Sequence, residues 1–212
     1  NTKLPDGSKG YSLLLIVTAE GFRPIPLGFG FMLTGIGGLL GVHRTANTAA
    51  LQAGVRNRSL DAVLFPKNLI ANAPQYLSTL STVFPPARDH FLVGLAAQIT
   101  WGTPTLVTIN LALILELGSA TKLLILGQLA ALLPSPKNDL IRLHIDAVGI
   151  IDFDQRTASL DARLYDSRLA RQFAISGDMA MRMRWGQQPS FALAVGGFHP
   201  AFTPPAGFPA LE

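Results

Sequence analysis

A chain of 212 residues that is 49% hydrophobic and 14% charged has ample material for one sizeable core and little to keep an exterior wet, since soluble domains ordinarily carry ~25% charged residues. Its net charge of +4, from 17 basic and 13 acidic residues, is small and evenly spread, and the tight pairs Arg56/Arg58 and Arg182/Arg184 lack interleaved aromatics, which argues against a nucleic-acid partner. With no cysteine, disulfides, thiolate zinc sites and cysteine nucleophiles are excluded.

The chain opens on the polar stretch NTKLPDGSKG, with no initiator methionine and no signal-peptide pattern. It closes on the proline-rich PAFTPPAGFPALE. Both ends read as the middle of something longer, a fragment or processed piece. Residues 1–44 are predicted to form a Gly-rich N-terminal hairpin, with strands over Tyr11–Glu20 and Pro26–Gly37 around Gly21. The uncharged stretch Pro24–Val42 is almost as long as the ~20 residues of a membrane-spanning helix. Its six glycines and two prolines argue against any helix. Leu27, Phe29, Phe31 and Leu33 instead keep a period of two against Gly28, Gly30, Met32 and Thr34, so no spanning helix is expected. The GIGGLLG run from Gly35 superficially resembles a phosphate-cradling loop, but that fingerprint needs a βαβ unit around it. Glycine here reads as a means of bending or of close backbone approach.

Residues 45–90 are predicted to be a loop and helix insertion. NAPQYLSTLSTVF carries a helix signature, with Asn72 as N-cap, Pro74 in the first turn and Pro85-Pro86 closing it. Leu77, Leu80 and Phe84 then share one face.

Residues 91–199 read as a β-meander, with residues 200–212 as a Pro-rich linker. Strands are predicted over Phe91–Trp101, Thr105–Leu117, Lys122–Leu133, Leu140–Asp154, Ala158–Asp166, Phe173–Trp185 and Phe191–Phe198, separated by Gly, Pro and polar breaks. QITWGTPT and MRWGQQPS both end a strand on Trp-Gly and restart after a proline, which suggests a repeated hairpin design. Alternation is clearest in two places. Ile141, Leu143, Ile145, Ala147, Ile151 and Phe153 face one way, against Arg142, His144, Asp146, Asp152 and Asp154. Met179, Met181, Met183 and Trp185 likewise oppose Asp178, Ala180, Arg182 and Arg184.

Such long strands pose a problem of cover. A 13-residue strand reaches ~43 Å and seven strands span ~30 Å, whereas the predicted helix is ~20 Å long and ~10 Å across. The helix hides about a sixth of one apolar face by these dimensions. The sheet can curl into a trough or barrel, pack on the N-terminal hairpin as a sandwich, accept lipid or another amphiphile, or dock onto further protein. A transmembrane barrel would show aromatic girdles, and 3 tyrosines with 2 tryptophans are too few. Methionine is flexible and suits both ordinary cores and adaptable binding surfaces. The candidate apolar-face residues are Met179, Met181, Met183, Trp185, Ile141, Leu143, Ile145 and Phe153.

Candidate chemistry is sparse. Asp146, Asp152, Asp154, Asp161 and Asp178 lie near Arg142, Arg163, Arg182 and Arg184, where a glycosidase-like pair or a calcium site could form. Exposed cross-strand ion pairs are the plainer reading. His43, His90, His144 and His199 match no helical metal motif; His43 and His199 end apolar strands and read as structural. No Gly-x-Ser-x-Gly elbow or P-loop appears. No catalytic, cofactor-binding or metal-binding residue is assigned, and no cofactor is expected.

The phrases PLGFGFMLTGIGGLLGVHR, LFPKNLIANAP, TWGTPTL, LYDSRL, GDMAMRMRWG and GGFHPAFTPP resemble one bacterial family of very large proteins, a domain of unknown function. The resemblance spans most of the chain and implies a segment of a much bigger polypeptide, with no activity or site residues to transfer. A looser, architectural similarity is to AsmA/TamB-type lipid conduits, whose long amphipathic strands form a greasy groove. The expectation is a single mainly β domain: a long-stranded antiparallel meander curled into a trough, sandwich or barrel-like layer, with one inserted helix. Its expected role is non-enzymatic binding of an apolar partner, either lipid-like cargo or adjoining protein segments. The alternatives are a structural or homo-oligomerising module and, more remotely, a hydrolase using the polar-face aspartates.

Overall fold

The computed structural model describes residues 2–3, 7, 9–57, 60, 63–65 and 69–196. The expected His199, the end of the last predicted strand and the Pro-rich linker lie outside them. In chain order the elements are β1 (Thr2–Lys3), β2 (Lys9–Gly10), β3 (Leu13–Gly28), β4 (Phe31–Arg44), α1 (Thr48–Asn57), α2 (Leu69–Val83), β5 (Pro86–Trp101), β6 (Val107–Leu117), β7 (Lys122–Ser135), β8 (Asn138–Asp152), β9 (Thr157–Leu169), β10 (Phe173–Arg184) and β11 (Ser190–Val195). β1 and β2 form a small ladder of their own, and β3 to β11 form one nine-stranded sheet in unbroken sequence order. Every neighbouring pair is antiparallel.

The N-terminal hairpin does not pack on the meander as a second layer. β4 pairs with β5, placing Gly38 opposite Leu95 and Leu40 opposite Val93, so the hairpin widens the same open sheet. Its turn also differs from expectation. β3 runs through Gly21, which takes φ 76°, and the chain reverses at Phe29 (φ 53°) and Gly30 (φ 83°). Gly21 marks a shift of register between Glu20 and Ile25. Pro24 and Pro26 are tolerated because β3 is an edge strand, where a missing N–H need not interrupt a ladder. At the true turn a Cβ on Gly30 would sit 3.0 Å from Trp101 Nε1, and that indole donates to the Phe29 carbonyl at 3.0 Å.

The insertion holds two helices, not one. Asn47 caps α1, its Oδ1 accepting the Ala50 N–H at 3.1 Å, which satisfies a donor that has no partner within the helix. TAALQAGVRN carries only Leu51 and Val55 as large apolar residues, a pattern easily lost among alanines. α2 starts at Leu69, so Asn72 lies inside the helix and is not its cap, and Pro74 stands in its interior. Leu77 points outward, 66% exposed, while Phe84 is fully buried.

Antiparallel register gives the sheet two distinct faces. Ile16, Leu39, Gly94, Ile114, Leu124, Ile150, Ser159, Arg182 and Ala192 form one cross-strand row from β3 to β11. This is the covered face. Leu39, Leu92, Ala112, Ile114, Leu124, Leu126, Val148 and Ile150 pack there against Leu51 and Val55 of α1, the segment holding Leu60, Val63, Leu64 and Phe65, and Val83 with Phe84. α1 lies over β8 and β9. Glycines let this layer come down close. A Cβ on Gly35 would stand 3.1 Å from Phe65 Cε1 of the insertion, and one on Gly94 would crowd its own strand neighbours on this face, 3.0 Å from Ile114 Cγ1 and 3.2 Å from Leu39 Cβ. The GIGGLLG run therefore serves close backbone approach.

Glu116, 1% exposed, ties the insertion to the sheet. Its carboxylate accepts from the Thr45 hydroxyl and the Ala46 N–H at 3.4 Å, and meets His90 Nδ1 at 3.0 Å. Arg44 Nη1 donates to the Phe84 carbonyl at 2.7 Å, and the Thr45 and Asn47 N–H groups donate to the Pro85 and Val83 carbonyls at 3.1 and 2.8 Å.

Two substitutions test this layering by urea denaturation. Gly94→Val overpacks the covered face and should cost about 1–3 kcal/mol. Gly127→Ala, on the opposite face with nothing within 4 Å of its Cβ, should leave the midpoint unchanged or raise it; equal losses would contradict the assignment of faces. Glu116→Ala strands the Thr45 and Ala46 donors, so a loss of about 1–3 kcal/mol is expected, with faster amide exchange at Thr45–Asn47 before the rest of the chain. Uniform exchange would mean that Glu116 is not the anchor.

Candidate functional site

The second face carries the feature that stands out. One residue along from the covered row, Val17, Gly38, Leu95, Leu113, Ile125, Gly149, Leu160, Met181 and Leu193 lie in register across all of β3 to β11. Rows on either side are equally apolar: Leu111, Gly127, Ala147, Ala162, Met179 and Val195 on one, Leu115, Leu123, Ile151, Ala158, Met183 and Phe191 on the other. Neither helix lies over them. The expectation that a helix covers part of the continuous apolar face is overturned, because the helices sit on the opposite side.

Of the residues expected on this face, the structure brings six together. Met179, Met181 and Met183 stand opposite Val195, Leu193 and Phe191 of β11 and Ala162, Leu160 and Ala158 of β9. Ile141, Leu143 and Ile145 stand opposite Leu133, Ala131 and Leu129 of β7. Trp185 falls just past β10, its N–H on the Arg156 carbonyl at 3.0 Å, and Phe153 lies in the turn after β8, its N–H on the Thr121 carbonyl at 3.1 Å. Neither is a strand residue, because the chain turns before the alternation ends.

The most open part of the face lies away from these candidates, towards β3. Leu13, Leu15 and Val17 of β3, Val93 and Leu95 of β5, and Leu111, Leu113 and Leu115 of β6 are all exposed, Leu95 by 73%. They obey the same alternation as the methionines. Towards β11 the face dips. Ile145, Ala162, Leu164, Gly177, Met179 and Val195 line a depression of about 430 Å³. Its low floor comes from Ala162 and from Gly177, which follows a bulge after Ile175 and whose Cβ would meet nothing within 4 Å.

The aspartates lie on the helix side, and the expectation of exposed ion pairs is corrected. Asp146, Asp152, Asp161 and Asp178 are all buried. Asp161 accepts from Gln52 Nε2 of α1 at 2.9 Å and from Arg182 Nη2 at 2.9 Å. Asp178 faces Arg163 Nε at 3.9 Å, Asp152 faces Lys122 Nζ at 4.0 Å, and the Tyr165 hydroxyl donates to Asp146 at 3.1 Å. Asp154 sits in the turn beyond β8 and accepts the Thr121 N–H at 2.6 Å. At the other end of the sheet Arg168 and Arg142 donate to Asp139 at 3.0 and 2.8 Å. Arg168 first, then Arg142, holds that carboxyl below the ordinary aspartate range, against the opposing effect of burial. These carboxylates are engaged in binding the insertion and neighbouring strands together.

The histidines are similarly engaged. His43 accepts the Asp89 N–H at 3.1 Å and meets the Tyr11 ring edge-on at 5.1 Å, His90 serves Glu116, and His144 stacks on Tyr165 at 5.8 Å. Among the described residues no group of three or more His, Asp or Glu side chains could hold a metal ion. No described helix is long and apolar enough to cross a membrane.

No curated protein and no solved structure matches the chain. A family profile, described as a family of unknown function (DUF6603), matches residues 1–212. The nine-stranded sheet with one helix-covered and one open apolar face is therefore the fold of a chain that belongs to the DUF6603 family.

Proposed function

We propose that this chain is a non-enzymatic sheet module that binds an apolar partner along the face opposite its helices. The supporting observation is the in-register run of apolar side chains across nine strands, with exposed members from Leu15 on β3 to Leu193 on β11. Nine strands are about 38 Å wide and ten residues of strand about 33 Å long, which makes the face on the order of 1,200 Å². Monomeric soluble proteins rarely expose contiguous apolar patches beyond a few hundred Å². The three methionines add adaptable, polarisable contact area.

Lipid-like cargo and adjoining protein segments both meet this chemistry. The resemblance to very large bacterial proteins supports protein segments as a source. The likeness to AsmA/TamB-type conduits rests on long amphipathic strands alone and supports lipid. The aspartates, held by Lys122, Arg163, Arg182, the Tyr165 hydroxyl and the Thr121 N–H, give a hydrolase reading no comparable support.

Peroxide oxidation of the purified protein tests the binding reading, since exposed methionine is readily converted to its sulfoxide. With a partner in place, Met181 and Met183 should oxidise slowly. In a Leu95→Lys/Leu113→Lys variant, whose charges repel an apolar partner, they should oxidise several-fold faster with the far-UV spectrum unchanged. Fast oxidation in both proteins would show a face that nothing covers and defeat the proposal.

A further inference from the structure

We propose that the partner on this face is a second copy of the chain, packed sheet to sheet about a twofold axis that runs along β7. The inference rests on the apolar-binding reading above and names its occupant.

Size is the first argument. Two such faces in contact would bury on the order of 2,400 Å², within the 2,000–5,000 Å² range of obligate homodimers. The site for a small amphiphile is far more limited. The depression of about 430 Å³ is lined from β8 to β11, so one ligand seated there leaves Leu15, Val93, Leu95 and Leu113 bare. A face this broad needs a cover equally broad, and sheets pack face to face at ~10 Å separation when both inner faces are apolar. The face itself is such a surface.

Charge and symmetry point the same way. The three central rows of the face carry only Val, Leu, Ile, Met, Phe, Ala and Gly, so nothing on them repels an identical copy or selects a charged stranger. An isologous interface that covers a whole face centres its axis on the middle of that face. β7 is the fifth of the nine strands. An axis along it sets β5 of one copy over β9 of the other, twice. Leu95, 73% exposed on β5, then stands over Leu160, the β9 member of its own cross-strand row, while Gly127 at the centre leaves open space above its own Cα. The edges offer a poorer route. β3 carries Pro24 and Pro26, which cannot donate to a new ladder, and β11 is only 6 residues long.

Sedimentation velocity on the purified chain at micromolar loading, with thiol crosslinking, tests the proposal. The wild type should sediment at twice the 22.6 kDa of one chain, and both Leu95→Lys and Leu193→Lys, folded by far-UV spectrum, should sediment as monomers. Because the chain has no cysteine, single cysteines report cleanly. Ile125→Cys on β7 should crosslink to itself with a short bismaleimide, and Ser81→Cys on the helix side should not. A dimer that survives both lysine variants, or that crosslinks through Ser81→Cys but not Ile125→Cys, overturns the proposal. A monomer that releases an amphiphile on solvent extraction, or a complex with a different protein, also overturns it while leaving the apolar-binding reading standing. A bare monomer with freely oxidised methionines overturns both.

Discussion

In-register antiparallel pairing is the constraint from which the rest of this structure follows. Side chains alternate along each strand, and the ladders align the strands without a net slip of parity through the centre of the sheet. Each residue of one parity therefore shares a side with its partners on all nine strands. A slip by one residue would exchange the two faces of a strand entirely. The register shifts lie towards strand ends, at Pro26–Gly28, Leu33–Gly35, Val42–Arg44, Leu133–Pro134, Arg142–His144 and Ile175–Gly177, or, at Glu20–Ile25, in the middle of the edge strand β3. Between them the central rows stay coherent.

The two faces solve different problems. The helix side is a narrow apolar band bordered by polar rows: Gln98, Asn110, Gln128, Asp146, Arg163 and Asp178 run along one border, and Glu116, Lys122 and Asp152 lie on the other. The insertion fits this band and is tied to it by Gln52 of α1, which donates to Asp161 at 2.9 Å, while the border row is linked within the sheet by Gln98, which donates to Asn110 at 3.1 Å. Buried charges are tolerated when each has a partner. The open side carries no polar border within its central rows, so it offers no groups with which a small insertion could seal its edges.

Much of this architecture was legible in the sequence. The strands from Phe91 onward announced themselves through period-two patterning and Gly or Pro breaks, and β6 and β10 end within a residue or two of their expected bounds. Local signals misled where two choices were locally equivalent. Gly21 and Gly30 both permit a positive φ, and only pairing with β5 decides which one turns. Alanine and glycine dilute the apolar spacing of α1, so TAALQAGVRN does not announce a helix. Leu77 fits a helical stripe yet faces outward. The deeper gap concerns which side the helices choose. INLALILEL in β6 and KLLILG in β7 are apolar on both faces, so alternation separates the sides without saying which is covered. Parity alone sets the three methionines and Ile141, Leu143 and Ile145 on a common face, whereas nothing local distinguishes Leu95 and Leu113, because leucine is ordinary in a core.

Chain order and strand order coincide here, and that bears on how the sheet assembles. Most strands meet their neighbours across a short turn, so little configurational entropy is lost at each pairing. The exception lies between Arg44 and Pro86, where the insertion intervenes. The β3–β4 hairpin and the β5–β11 meander can each zip up from local closures, but joining them requires a long loop to close. Glu116, reaching from the meander to Thr45 and Ala46, supplies a fastening at that seam. Folding speed should therefore be governed by one encounter between two preformed parts, a low-contact-order route for a sheet so wide.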